Sequence, residues 1–149
     1  SVDKFIGDAL MVLFDDESLG ACRAVCAGME MLEALPEISG QVGQELHIRV
    51  GINSGHVVQG DIGSRLHRRD FTVIGDSVNL AQRLESAAGR DQIYISGPTY
   101  ELVREWVEVI PTRPLQVKGK EQPVQAYRVV SVDDVFKRNI GPSAATKSH

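Results

Sequence analysis

The sequence is poor in residues that would staple a fold covalently or through metal. Cysteine occurs only twice, as Cys22 and Cys26, four apart on what the spacing reads as one helix, hence on one face. That suits two small buried apolar groups in a reducing compartment, and no further ligand has the spacing of a zinc site. No apolar run approaches the length that spans a bilayer, and no signal-peptide pattern is present. Sixteen Lys and Arg stand against twenty Asp and Glu, a net charge of −4, so the broad basic field of a nucleic-acid binder is absent. One Trp, three Tyr and four Phe are too few to favour base stacking on a sheet. The phosphate-binding patterns G-x-x-x-x-G-K-[ST] and G-x-G-x-x-G are missing, as is the nucleophile pattern G-x-S-x-G. His47, His56, His67 and His149 show no paired ligand spacing. Acyl transfer and zinc hydrolysis therefore recede, and an anionic ligand has to be held by a few local cations or by metal.

What is there suits one soluble domain: 149 residues, 42% hydrophobic and 24% charged, enough to bury a core. Ser1 stands where an initiator Met would, which predicts an internal piece of a longer protein. Residues 2–14 read as a hairpin with a II′ turn at Gly7-Asp8, its second run, Ala9 to Phe14, apolar enough for a buried central strand. Cys22, Val25, Cys26, Met29, Leu32 and Leu35 recur at helical spacing over 20–35, and Pro36 fits a helix that has ended, followed by a polar connection over 37–45. Leu46, Ile48, Val50 and Ile52 alternate as a half-buried strand, Asn53-Ser54-Gly55 turns the chain, and His56-Val57-Val58 starts a return strand before a polar loop over 61–70. A strand over 71–74, a helix over 78–88 capped by Asp76-Ser77, a strand over 92–96, a helix within 97–106, and strands over 114–118 and 124–130 around Gly119-Lys120 follow. From about residue 131 the composition predicts a weakly ordered tail. Hairpins mixed with crossover helices indicate an α+β fold, a mixed sheet with packed helices.

Several polar residues stand where chemistry needs them, each with an ordinary alternative. Asp8 at a tight turn suits a hard cation, or is simply the turn residue, with Lys4 in the same segment. Arg49 on an alternating strand is a solvated face or a phosphate fork. Asn79 and Arg83, at i and i+4, project side by side and suit a sugar and a phosphate, or form a polar helix face. Lys118 and Lys120 bracket Gly119 in a turn that is solvated or clamps a polyphosphate.

Four blocks taken together, KFIGDALMVLF, IRVGINSGHVVQGDIG, FTVIGDSVNLAQRLESA and PLQVKGKEQPVQAYRV, resemble in this order the catalytic domain of class III nucleotidyl cyclases. The resemblance spans roughly residues 2–130, with GDSVNLAQRLE its most specific part. It implies an α+β fold with a ferredoxin-like mixed β-sheet and packed helices, a catalytic domain over 1–130 and a tail over 131–149. By the resemblance Asp8 is one of two aspartates holding two Mg²⁺ or Mn²⁺ ions per active site, Lys4 and Thr72 recognise the base, and Asn79 orients the ribose. Arg83 stabilises charge developing at the α-phosphate, and Arg49 and Lys118 contact the triphosphate, with Lys120 as the alternative to Lys118.

Lys4 can donate to adenine N1 and Thr72 can accept from the exocyclic amine, which points to ATP, although a hydroxyl both donates and accepts. The implied reaction converts ATP to 3′,5′-cyclic AMP and pyrophosphate, with two metals assisting in-line attack of the ribose 3′-OH on the α-phosphorus. It also implies a head-to-tail homodimer in which metal aspartates come from one subunit and base, ribose and transition-state residues from the other. An upstream regulatory domain that rotates the subunits would then control the site. The family's first strand, carrying the other metal aspartate, and its following helices precede the first matched block, so the fold is expected to lack them over these residues. That predicts a fragment of little activity by itself. Cytoplasmic placement follows from ATP and free thiols, with a membrane anchor elsewhere left open. The rival readings are a guanylate cyclase, a cyclase-like nucleotide-binding or regulatory domain without catalysis, and a nucleic-acid module, which the net charge disfavours.

Overall fold

The computed structural model describes residues 2–6, 8–56, 58–62 and 70–140. Its centre is a four-stranded mixed sheet in the order β3 (Arg49–Ile52), β6 (Gln92–Ser96), β8 (Ala126–Val132), β7 (Val107–Pro111). β3 and β6 run parallel, with Val50 opposite Ile93, and β8 is antiparallel to both β6 and β7. The parallel pair requires a crossover, and α2 (Asp76–Ala87) lies within it. Two antiparallel hairpins stand outside this sheet: β1 (Val2–Ile6) with β2 (Ala9–Val12), and β4 (Val58–Ile62) with β5 (Asp70–Ile74).

Strand alternation divides the core between the two sheet faces. Ile93 and Ile95, both fully buried, face α1 (Gly20–Val42), α3 (Gly97–Val103) and α4 (Asp134–Ile140), where they meet Val25, Cys26, Val103 and Phe136. Tyr94 points the other way and packs against a second cluster of Leu80 and Leu84 from α2 with Val117 and Ala126. Glycine permits close approach on each side. Gly28 of α1 lies against Ile93 and Val50, and a Cβ on Gly51 of β3 would overlap the backbone of α2 at Ala81 and Glu85. The α2 backbone therefore rests directly on β3.

Several local expectations change. The α1 helix does not stop at Pro36 but runs to Val42 and ends at Gly43, whose φ of 77° is left-handed and whose N–H reaches the Ser39 carbonyl at 2.9 Å. Proline deletes one helical hydrogen bond, but the helix continues past it, with Ile38 and Val42 exposed at helical spacing. The start of α1 is held by Asp16, whose Oδ1 accepts from the Ser18 and Leu19 amides and whose Oδ2 meets Arg23 Nη1 at 3.0 Å. These bonds to the ionised form depress the Asp16 pKa.

β2 is not a buried central strand: Leu10, Val12 and Phe14 are exposed, and β2 pairs with β1 alone among the described residues. An apolar run makes burial favourable, but burial needs a second layer, and none covers β2 among the described residues. The II′ turn expected at Gly7-Asp8 includes Gly7, which lies outside the described residues. The strand after Asn53-Ser54-Gly55 pairs with β5 rather than returning to β3, whose partner in the sheet is the parallel β6. Strand residues reach Ile62 and resume at Asp70 in the stretch read as a loop, of which 63–69 lie outside the described residues. The cap of α2 is Gly75, at a φ of 136°, with Asp76 and Ser77 already in the first turn.

A strand over 114–118 does not form. Leu115 and Val124 make a single bridge, since Pro114 and Pro123 beside them lack the N–H a ladder needs. The edge beside β8 is instead taken by β7, whose sequence VEVIP alternates. Residues 131–140, taken from composition as the start of a polar tail, carry the end of β8 and all of α4. Asp133 caps α4 by accepting from the Val135 amide at 2.8 Å, and Phe136 enters the core and stacks on Trp106 with ring centres 5.3 Å apart. One phenylalanine in a polar stretch is a weak compositional signal but a large apolar surface.

Candidate active site

The polar residues singled out in the sequence converge mainly on α2. Its inner stripe, Leu80 and Leu84, is buried against Val117 and Ala126. That burial draws the segment 115–120 onto the helix, and each leucine contributes roughly 1.5–3 kcal/mol when fully buried. Beyond Val117 the chain turns: the Lys120 amide donates to the Val117 carbonyl at 3.0 Å and Gly119 takes a φ of 88°, the left-handed position of a type II turn. Lys118 and Lys120 both stand exposed on this turn.

Arg83 faces the same segment. Its Nε donates to the Gln116 carbonyl at 2.9 Å. One donor of the guanidinium fork is thereby fixed, and among the described residues its Nη groups have no further partner. Asn79, one turn earlier, is exposed and makes no side-chain hydrogen bond among the described residues. Arg83, Asn79 and the Lys118 turn thus form one polar surface over a buried apolar base.

Arg49 opens β3 and is half exposed, its Nη2 lying 3.7 Å from Glu85 Oε1 on α2. This is a long, solvated pair that contributes little to stability. Thr72 lies in β5 opposite Gly60, three residues before the Gly75 joint into α2, and Lys4 lies in β1 opposite Met11. The side chains of both lie outside the described ones. Asp8 is exposed at the tip of the β1–β2 hairpin, in a sheet separate from α2. As a metal centre the described residues are incomplete: Asp8 supplies one carboxylate, and no three His, Cys, Asp or Glu side chains among them converge as a cation site.

The arrangement offers a fixed guanidinium, an amide one turn away and a lysine-bearing turn beside them. These are donors suited to a sugar and a polyphosphate. A family model described as the Adenylate and Guanylate cyclase catalytic domain matches residues 3–131. The chain belongs to that family. It is 36% identical over 146 residues to the "Adenylate cyclase, terminal-differentiation specific" of Dictyostelium discoideum, covering 92% of this chain but 7% of that protein. Among solved structures it is similar to the adenylyl cyclase CyaB from P. aeruginosa, at 35% identity and a TM-score of 0.80 over 90% of this chain and 73% of that one. The guanylyl cyclase Cya2 aligns at 39% identity and a TM-score of 0.83, over 90% of this chain and 71% of that one. The mixed sheet with its packed helices is the cyclase catalytic-domain fold, and relatives of both nucleotide specificities resemble it. Cyclase domains of this family generally use divalent metal ions.

Two contacts within the site were not legible beforehand. The Gln116 carbonyl that fixes Arg83 is a backbone group, which no residue pattern marks. Asn53, read as a turn residue, extends its side chain to the Ser77 carbonyl in the first turn of α2, at 2.9 Å. An amide at the end of a strand that feeds a helix-bearing crossover was the one available hint.

Proposed function

We propose that this chain is the catalytic part of an adenylate cyclase that converts ATP to 3′,5′-cyclic AMP and pyrophosphate. The observation that carries the reading is the fixed Arg83, with Nε on the Gln116 carbonyl and the Lys118 turn seated on the same helix. The ribose 3′-OH gives its proton to solvent water, its oxygen attacks the α-phosphorus, and the P–O bond to the β-phosphate breaks with the bridging oxygen leaving as part of pyrophosphate. Arg83 meets the charge growing on the α-phosphate oxygens, Asn79 holds the ribose, and Lys118, with Arg49, binds the triphosphate. A preformed donor set lowers the barrier because it needs no reorganisation as charge develops. Lys4 and Thr72 read adenine by donating to N1 and accepting from the exocyclic amine. Two copies associate head to tail, so that Lys4 and Asp8, four residues apart, serve opposite sites. Asp8 is the carboxylate we assign to a divalent ion; a complete metal site needs others besides it, and no step is built on it.

The similarity to a guanylyl cyclase favours GTP as the second reading. Turnover of MgATP and MnATP, with GTP in competition, decides between them: the proposal expects cyclic AMP and a preference for ATP. Arg83→Ala is expected to cut turnover by on the order of 10³-fold while ATP binding persists. Unchanged turnover in that variant would remove Arg83 from the reaction and the proposal with it.

A further inference from the structure

Ordered side chains do more on the second face of the sheet than bind ligand. Immediately after β3 the chain is held on both sides at successive residues. Asn53 reaches α2, with Nδ2 donating to the Ser77 carbonyl at 2.9 Å. Ser54 reaches α3, with its hydroxyl 2.8 Å from that of Thr99. Thr99 is fully buried and donates back to the Ile52 carbonyl at 3.4 Å.

The Asn53 contact has unusual chemistry for a purely structural bond. The acceptor is a helix carbonyl that also serves the helix ladder, so the side chain must present its N–H to it. Its Oδ1 is left buried and, among the described residues, without a partner. An unpaired buried acceptor offsets much of what the Ser77 bond contributes. What the amide does secure is position. Ser77 lies two residues before Asn79, and Gly55 packs so close that a Cβ there would stand 2.5 Å from Ser77 Oγ. The first turn of α2 is thus fixed in height and rotation at the residue pair from which Asn79 projects.

We infer that Asn53 is a positioning residue of the cyclase reaction, setting the first turn of α2 so that Asn79 holds the ribose for attack. The inference rests on the proposed assignment of Asn79 to the ribose. Misplacing a positioning group by an ångström is enough to cost up to about a hundredfold in rate, whereas Arg49 and Lys118, the cations assigned to the triphosphate, are not held by Asn53. Loss of Asn53 therefore acts on kcat rather than KM.

The test is a double-mutant cycle in the longest form of the polypeptide that turns over MgATP. Asn53→Asp keeps the shape and removes the donor; Asn53→Ala is the second variant, because the Ser77 carbonyl then keeps its helical bond. Either change is expected to lower kcat about tenfold with KM for MgATP held within about twofold. In an Asn79→Ala background the same change should cost less than about twofold, since the group being positioned is already gone. Equal losses in both backgrounds, or an unchanged kcat in the single variant, overturn the inference. The two readings separate cleanly: Asn79→Ala without loss of cyclisation refutes the ribose assignment, while its loss together with a silent Asn53→Asp refutes the positioning role alone.

Discussion

The two faces of the central sheet are built from the same strands but do different work. On one, β-branched side chains from β3, β6 and β8 meet three helices, and nine buried residues from five elements form the cluster. On the other, a single helix lies on the sheet, its Leu80 and Leu84 buried with Val117 and Ala126, and polar contacts fix the rest: Asn53 to Ser77 and Arg83 to Gln116. The first face stores stability in apolar area, which is non-directional. The second spends its contacts on direction, which is what reacting groups need. Changes on the first face should therefore alter how much protein is folded, and changes on the second how well the folded protein works.

Phe136→Ala gives the largest effect expected on the stabilising face. The ring is buried and stacked on Trp106, so its loss should cost about 3–5 kcal/mol in equilibrium denaturation, with KM for nucleotide unchanged in the protein that remains folded. A shift in KM would mean that the two faces are not separable. Gly51→Ala probes the boundary between them, because a methyl there meets the α2 backbone at Ala81 and Glu85 and the Leu84 Cβ. A destabilisation of about 1–3 kcal/mol is expected, accompanied by a fall in kcat because α2 is lifted off the sheet. Loss of stability with kcat intact would show that the groups proposed to act on the nucleotide tolerate a moved helix.

Acid titration gives a smaller effect, and on neither face. His47 Nδ1 lies 2.8 Å from Asp91, which also accepts from the Ile48 amide, and these bonds depress the Asp91 pKa. Asp16 is depressed by its bonds to Leu19 and Ser18. A carboxyl that binds its proton more weakly folded than unfolded adds stability above its unfolded pKa and loses it as pH falls through the folded one. Denaturation midpoints should therefore decline as pH drops below about 4, and Asp91→Asn, which tolerates the left-handed φ of 59°, should flatten that decline. A decline unchanged in the variant would assign the acid sensitivity elsewhere.

The contrast between faces also explains what could be read from sequence. Periodicity reports burial, so the apolar stripe over 20–35 in α1 and the alternation of β3 were legible, as was the pairing of Asn79 with Arg83 on one helix face. Periodicity does not report partners. The apolar run of β2 announced a strand but not its exposure, and the alternation before Asn53 gave β3 without its parallel alignment to β6. Phe136 was missed because one aromatic side chain among polar neighbours carries no period. Backbone acceptors such as the Gln116 carbonyl leave no trace in residue type, so the environment of Arg83 became visible only in three dimensions.

The contact at Gly51 carries a consequence for how the domain could respond to its surroundings. Only α2 main chain and the Leu84 Cβ, which moves with it, face β3 there, so no rotamer change can absorb a displacement. A push arriving from a neighbouring subunit or segment would be transmitted undamped, like force through a wedge with no cushion, and the arginine and asparagine on that helix would travel with the sheet beneath them.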